Sequence, residues 1–530
     1  ASEAVVVRRE GKAALLESAG RPDGRASLAA RWLPYAGPVS LDRLGSVFGP
    51  GAAEPELLEA AGVVVGPGLG ARPSAPDGAS DGEPAGEVQG ACDRDVLESL
   101  LRQGRAAARP KLRAMPAAAL PAFVAALQGL RDRALPDDER YASDRQAGVA
   151  ATRRALEALS GFPAPAALWE TEILPARVPD YRPEYLDELL ADGEFIWFGA
   201  GERVVAFASA ADYEAFAPGR PSSLLSPGDG PLDAWAVKDR HGLSIAELEE
   251  RLWAEIWAGA IGSDGFEAVR RAAGRGFRRS ASAAGAADTA ERPARGRPVR
   301  VPTALRARWK DGPPLAGTWF ALALDDEGPA DEADRLELDC RAVRAVVRRY
   351  GVVFPAMLER ELPRARWGGL ARALRRMELS GELSCGRFFD GPDGPQFIGA
   401  DALRVFKDGF DGGLASMNAC DPASPAGWAV EGLPEGLPSR LPANRLSLSG
   451  GEPVCVARRS WRDLELSREP GDPMVARSLA FALEARRRTV SPERRIAVAS
   501  INGESAASSP YAGLLAWLGF EADRGVMTLW

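Results

Sequence analysis

Near Asp192 and again near Ser380 a helix ends at a Gly-Glu pair and runs into a glycine-turned pair of strands; after Gly409 the texture turns to short strands. These features predict an α+β chain, tandem winged-helix modules followed by a small β-barrel-like domain. Length agrees, because 530 residues exceed the roughly 250–300 at which a single hydrophobic core stops growing.

The elements follow in order. Residues 26–35 and 40–48 are short helices, the second capped by Ser40. Residues 57–66 read as a helix running into a strand, and about 67–90, rich in Gly, Pro, Ser and Asp, as a loop. Helices follow at 93–108, 116–131 and 146–160. Residues 182–191 place Tyr185, Leu186, Leu189 and Leu190 on one helix face, and a hairpin turned at Gly199–Glu202 comes next. Ser244 caps a helix striped by Leu248, Leu252, Ile256 and Trp257, which ends at Gly259. A long helix reaches Tyr350, a short one spans 354–361, a third spans 367–380, and a hairpin follows across 390–394. Residues 445–448 and 453–456 flank a further hairpin. Strands at 461–467, 495–500 and 526–530 and helices at 473–488 and 510–518 complete the chain.

The expected organisation is a degenerate winged-helix-like module at 1–90 and a helical segment at 91–165. Winged helices follow at 166–225 and 226–273, then a disordered basic loop at 274–316, a winged helix at 317–408 and a β-barrel-like α/β domain at 409–530. From Arg270 to Lys310, a span that takes in most of this loop, the sequence holds twelve Arg and Lys against two acids. The loop serves either as a solvated linker or as an arm that tracks phosphates.

Composition excludes several functions. The five cysteines, Cys92, Cys340, Cys385, Cys420 and Cys455, are scattered without a CxxC pair, so neither a compact zinc site nor a disulfide framework is expected. A lone histidine, His241, leaves little for triads or multi-histidine metal sites, and Asp239-Arg240-His241-Gly242 reads as a turn before a helix. Gly11-Lys12-Ala13 lacks the upstream glycine and the Ser or Thr of a phosphate-cradling loop, and Asp325-Asp326-Glu327 follows no buried strand. The chain is therefore not expected to hydrolyse ATP by itself, and no metal or cofactor is expected. Without a bilayer-length apolar run or a signal peptide, a cytoplasmic protein with no membrane partner is expected. A net charge of −8 argues against a uniformly basic binder but leaves room for a local basic face.

Four ordered stretches carry a family likeness. They are Trp169-Glu170 with Leu174-Pro175-Ala176-Arg177-Val178 and residues 181–189; Leu252-Trp253 through Asp264; residues 374–378 through Gln396-Phe397; and Ile501-Asn502-Gly503-Glu504 with Ser509-Pro510-Tyr511 and residues 518–521. Over about residues 93–530 the chain resembles the C-terminal half of the bacterial large helicase-related (Lhr) family, and it is similar to winged-helix DNA glycosylases. The resemblance implies tandem winged helices and a β-barrel module that follow a helicase core in the family, and a role in DNA repair. It also implies base excision, since uracil-DNA glycosylase activity is attributed to some relatives.

The expected nucleic-acid contacts are Arg177, Arg182, Trp197, Arg372, Arg375, Arg376 and Arg387. Arg372, Arg375 and Arg376 share one face of the third helix of a winged helix, and Arg387, Phe388 and Phe389 lie on its wing, where such modules meet phosphates and bases. That face is either a DNA contact or simply solvated. Arg177 and Arg182 bracket a proline-stiffened loop. Trp197 and Phe198 alternate on a strand, one toward the core and the other toward the wing side, as a stacking platform or as packing. Base excision requires a carboxylate or polar group near the sugar; Glu170, Glu172 and Asp180 lie beside the matched motif, and no single catalytic residue is assigned. Asp421 is expected to cap a turn. The expected partners are DNA, single-stranded or flapped, a helicase core, and a second copy of the chain. The rival expectation is a non-catalytic scaffold for oligomerisation or helicase docking; a transcription regulator fits poorly for want of a sensor domain.

Overall fold

The computed structural model describes residues 20–69, 88–108, 112–130, 144–277, 315–322, 331–410, 413–488 and 490–530. Gly11-Lys12-Ala13, most of the 67–90 loop, residues 278–314 of the basic loop and Asp325-Asp326-Glu327 lie outside the described residues. The chain divides into two units, 1–111 and 112–530.

The first unit opens with helices α1 (Pro22–Ala36), α2 (Leu41–Phe48) and α3 (Pro55–Ala60). Ser40 caps α2 by accepting from the Arg43 amide, as its position before the apolar run requires. Strands β1 (Val39–Ser40), β2 (Val64–Pro67) and β3 (Gln89–Cys92) form an antiparallel sheet in the order β1-β3-β2. Ala26, Ala29, Leu33, Leu44 and Leu58 fill the core of this unit. Helix α4 (Arg94–Ala108) follows.

The second unit repeats that plan. Helices α5 (Leu120–Leu127), α6 (Arg145–Ala158) and α7 (Pro183–Ala191) accompany strands β4 (Ala164–Pro165), β5 (Phe195–Gly201) and β6 (Val204–Ser209), paired β4-β6-β5. Helices α8 (Ala234–His241), α9 (Ile245–Ala258) and α10 (Glu267–Gly274) accompany β7 (Leu232–Asp233), β8 (Ile261–Ser263) and β9 (Thr318–Ala321), paired β7-β9-β8. The β8–β9 ladder thus joins residues on opposite sides of the 274–316 segment. Helices α11 (Glu332–Tyr350), α12 (Trp367–Ser380) and α13 (Ala400–Asp408) accompany β10 (Val352–Val353), β11 (Leu383–Gly386) and β12 (Gln396–Gly399), paired β10-β12-β11. Each time the first, two-residue strand pairs with the third rather than the second.

A local rule starts each hairpin. Gly62, Gly193, Gly259 and Gly381 stand between the last helix and the first long strand with φ of 83°, 70°, 74° and 84°. This left-handed backbone carries the chain out of the helix, and a side chain there would be strained. These glycines are why the helix-then-strand unit was visible in the sequence. The capping box between Ser244 and Glu247 starts α9. His241 is the last residue of α8, with its Nε2 2.8 Å from the Leu224 carbonyl.

The remaining strands are β13 (Leu414–Asn418), β14 (Arg445–Ser449), β15 (Glu452–Arg458), β16 (Asp463–Leu466), β17 (Ile496–Val498), β18 (Ser500–Ile501), β19 (Glu504–Ser505), β20 (Glu521–Asp523) and β21 (Val526–Leu529). Six form one sheet, β13-β14-β15-β16-β18-β19, antiparallel except between β16 and β18; the other three pair β17-β21-β20. Helix α14 (Pro473–Arg487) buries Val475, Leu479, Phe481 and Leu483 in the core that also holds Trp461. Among the described residues no helix is long and apolar enough to cross a membrane.

The hairpin β5–β6 sits between two cores. Phe198 belongs to the one built around α11 and α12, whereas Trp197 belongs to the one built around α7 and α9. Both rings are fully buried. The sequence expectation put one of them on the wing side; instead each ring is enclosed by a different core.

Candidate functional site

Short helix Ala166–Leu168 runs into a π-helical turn, Trp169–Ile173, closed by the Leu174 amide donating to the Trp169 carbonyl at 2.8 Å. Such widened turns recur at functional sites. This one carries Glu170 and Glu172, each 3% exposed. Glu170 accepts from the Tyr181 hydroxyl at 2.8 Å and from Arg270 at 2.7 and 2.9 Å. Arg270 also grips Asp187 at 2.9 Å and Glu267 at 2.7 Å. Burial raises the Glu170 carboxyl above its ordinary range, while Arg270 and Tyr181 pull it back. Burial, then the Glu170 charge, pushes the Tyr181 phenol well above its usual value.

Glu172 is held by a separate set: Arg445 at 2.6 and 3.1 Å and Arg488 at 3.3 Å. Glu170, Glu172, Arg270, Arg445 and Arg488 line a cleft of about 210 Å³. Its chemistry is that of paired charges. A carboxylate that stabilises a developing sugar cation must face the substrate with its lone pairs free, and both of these already answer to guanidinium groups. Asp180, the third candidate, is exposed in a turn at φ 47°. Among the described residues no cluster of three or more His, Cys, Asp or Glu side chains could hold a metal ion.

Two expected nucleic-acid contacts are corrected. The Arg177 side chain is 2% exposed and forms a two-pronged ion pair with Asp421 at 2.8 and 2.9 Å; it also donates to Gln128 at 2.5 Å and to the Ile173 carbonyl at 2.9 Å. It pins the π-turn segment to the loop after β13 and cannot reach a phosphate. Asp421 caps its turn as expected, accepting from the Ala423 amide at 2.8 Å, and is the partner of Arg177 besides. Trp197, fully buried, donates its indole N–H to the Gly265 carbonyl at 3.1 Å and offers no stacking face.

The other expected contacts are at the surface. Arg182 is exposed at the N-cap of α7. Arg372, Arg375 and Arg376 stand on the solvent side of α12, opposite buried Leu370, Ala373, Leu374 and Met377. Arg372 pairs with Glu332, and Arg387, exposed on the wing, pairs with Asp390 at 3.0 Å. Phe388 and Phe389, read as wing residues, are buried instead; Gln396 holds both of their amides at 3.0 and 2.9 Å.

Sequence reasoning missed Arg270, Arg445 and Arg488. Their partners lie 100, 273 and 316 residues away. The only local signal was Glu267-Arg270-Arg271, whose helical spacing reads equally well as a solvated face.

This architecture defines a chain of tandem winged helices. Residues 115–210 and 332–409 each match the winged-helix domain of the large helicase-related protein. Over these stretches the chain is similar to the C-terminal winged-helix region of the large helicase-related family. It is 28% identical over 421 residues to the Lhr helicase/uracil glycosylase of Escherichia coli, covering 71% of this chain and 26% of that protein. It is 29% identical over 486 residues to the Lhr helicase/probable uracil glycosylase of Mycolicibacterium smegmatis, covering 85% of this chain and 30% of that protein. The chain thus spans less than a third of either relative. Streptomyces sahachiroi DNA glycosylase AlkZ aligns with 70% of this chain and 96% of its own, at 13% identity and a TM-score of 0.35.

Proposed function

We propose that this region is a DNA-holding module of a helicase-related repair protein. The observation that carries it is the cationic outer face of α12, where Arg372, Arg375 and Arg376 precede a wing bearing Arg387. In winged helices this helix and wing meet the duplex or its strands, cations on phosphates. The helicase and uracil glycosylase names of the two relatives support the same role. Single-stranded or flapped DNA is the proposed substrate, and a helicase core and a second copy of this chain are the proposed partners. The cytoplasm is the proposed compartment, where bacterial DNA is handled. The barrel-like reading of residues 409–530 is supported by the six-stranded sheet with α14 against it.

Base excision is proposed as a second activity, with support from the relatives' names. Exposed Asp180 is its carboxylate open to a substrate, since Glu170 and Glu172 are engaged by arginine. The test is anisotropy of a labelled single strand carrying one deoxyuridine, against an undamaged control and a flapped duplex, over a salt series. Binding that falls steeply with salt supports the DNA-holding role, and an abasic product supports excision. No binding at low salt overturns both and leaves the scaffold role, which a stable oligomer would then support.

A further inference from the structure

We propose that Glu249, Trp253 and Trp257 form a second site, a pocket for an unpaired guanine of single-stranded DNA. The three residues follow one another at four-residue steps along α9 and so share a face. The two indoles stack, with centroids 5.0 Å apart and planes at 20°. Phe277 meets both edge-on, at 6.4 and 5.6 Å. Arg203, from the β5–β6 turn of the preceding module, lies over Phe277 at 5.7 Å. With Arg275 these side chains bound a cleft of about 360 Å³, inside the range of roughly 300–1,000 Å³ typical of ligand clefts.

Glu249 lines the same cleft. It is 6% exposed, and its Oε2 is buried without a hydrogen-bond partner. Buried carboxylates elsewhere in the molecule, Glu170, Glu172 and Asp421, each hold an arginine. A buried oxygen without a donor is costly until a donor arrives. An ionised carboxylate only accepts, so it selects a ligand edge made of donors. Guanine sets N1–H beside the N2 amine. Adenine, cytosine and thymine each set an acceptor beside their donor, which a carboxylate repels. The half-buried indoles supply the flat surface on which a base stacks, and Arg275 and Arg203, the latter paired with Glu202 at 3.6 Å, also line the cleft. Glu202 and Glu250 also border the cleft, so acids outnumber cations and the donor edge, rather than the phosphate, is what is recognised.

The inference rests on the DNA-binding reading but on a different surface from α12. The test uses the full chain and labelled dT12 strands with one central dT, dG or hypoxanthine, the last lacking the 2-amino group. The dG strand should bind about tenfold tighter than the dT strand, with hypoxanthine between. Glu249→Gln, an isosteric change, should bring that ratio toward one, and Trp257→Leu should weaken dG binding about fivefold or more. Thermal melting reports folding, and if the Trp257 variant does not fold, Glu249→Gln decides. Equal affinity for dG and dT strands, or a preference that survives Glu249→Gln, overturns the pocket while leaving DNA binding intact. No binding of any strand overturns the DNA-holding role and this site with it. Tryptophan quenching by N-acetyl-arginine amide but not by dGMP would make the cleft a seat for a protein cation, which also overturns the proposal.

Discussion

Truncating Arg177 separates its two readings quantitatively. As an exposed phosphate contact, Arg177→Ala would leave stability within about 0.5 kcal/mol and lower the salt slope of single-strand binding by about 0.7. The structure gives the opposite expectation. Arg177 and Asp421 are 2% and 1% exposed and joined at 2.8 and 2.9 Å. Truncation leaves the Asp421 carboxylate buried with the Ala423 amide and no cation, and an uncompensated buried charge costs roughly 3–5 kcal/mol. Domains hold only about 5–15 kcal/mol in total, so the loss should bring the urea midpoint down sharply. Asp421→Ala should cost a similar amount. The double variant should cost clearly less than the sum, since it strands no charge. Urea unfolding followed by tryptophan fluorescence measures the cycle. An Arg177→Ala protein as stable as wild type but with a shallower salt slope would refute the burial argument.

Other outcomes are expected. Changing Arg372, Arg375 and Arg376 together to Gln should leave the fold intact and reduce the single-strand salt slope by about 2, three contacts at about 0.7 each; an unchanged slope in anisotropy titrations would put the DNA elsewhere. Glu170 is raised above its ordinary 4.5, so its contribution to stability is fully present below that pH and lost as pH rises through the folded value. Wild type should therefore lose ground to Glu170→Gln between pH 4.5 and 7 in denaturation at the two pH values; a gap moving the other way would mean that Arg270 outweighs burial. A Cβ at Gly199 would lie 1.8 Å from the Ile256 carbonyl oxygen, so Gly199→Ala should cost about 1–3 kcal/mol or more by forcing β5 off α9. Gly228→Ala, with nothing within 4 Å, is the control, and equal melting temperatures for the two would count against the close approach.

By itself the sequence determined the helix-then-hairpin elements, because their signals are local. The apolar stripes of α7 and α9, the Ser40 and Ser244 caps and the glycines at 193, 259 and 381 each act within a few residues, and the family likeness follows those same stretches. The cationic face of α12 was legible for the same reason, since helical spacing alone gathers Arg372, Arg375 and Arg376. Only the tertiary structure decided which charged and aromatic residues are available. Arginine serves here both as surface and as buried pin, so Arg177 and Arg372 look alike until Asp421, 244 residues away, closes on the first. Trp197 and Phe198 alternate as a half-exposed strand would, yet each is buried in a core of its own. Glu170 and Glu172 sit beside the family motif as open carboxylates would, and arginines 100 and 273 residues away neutralise them. Periodicity reports which way a side chain points along its own element; what lies opposite it is set by chain contacts that no local spacing encodes.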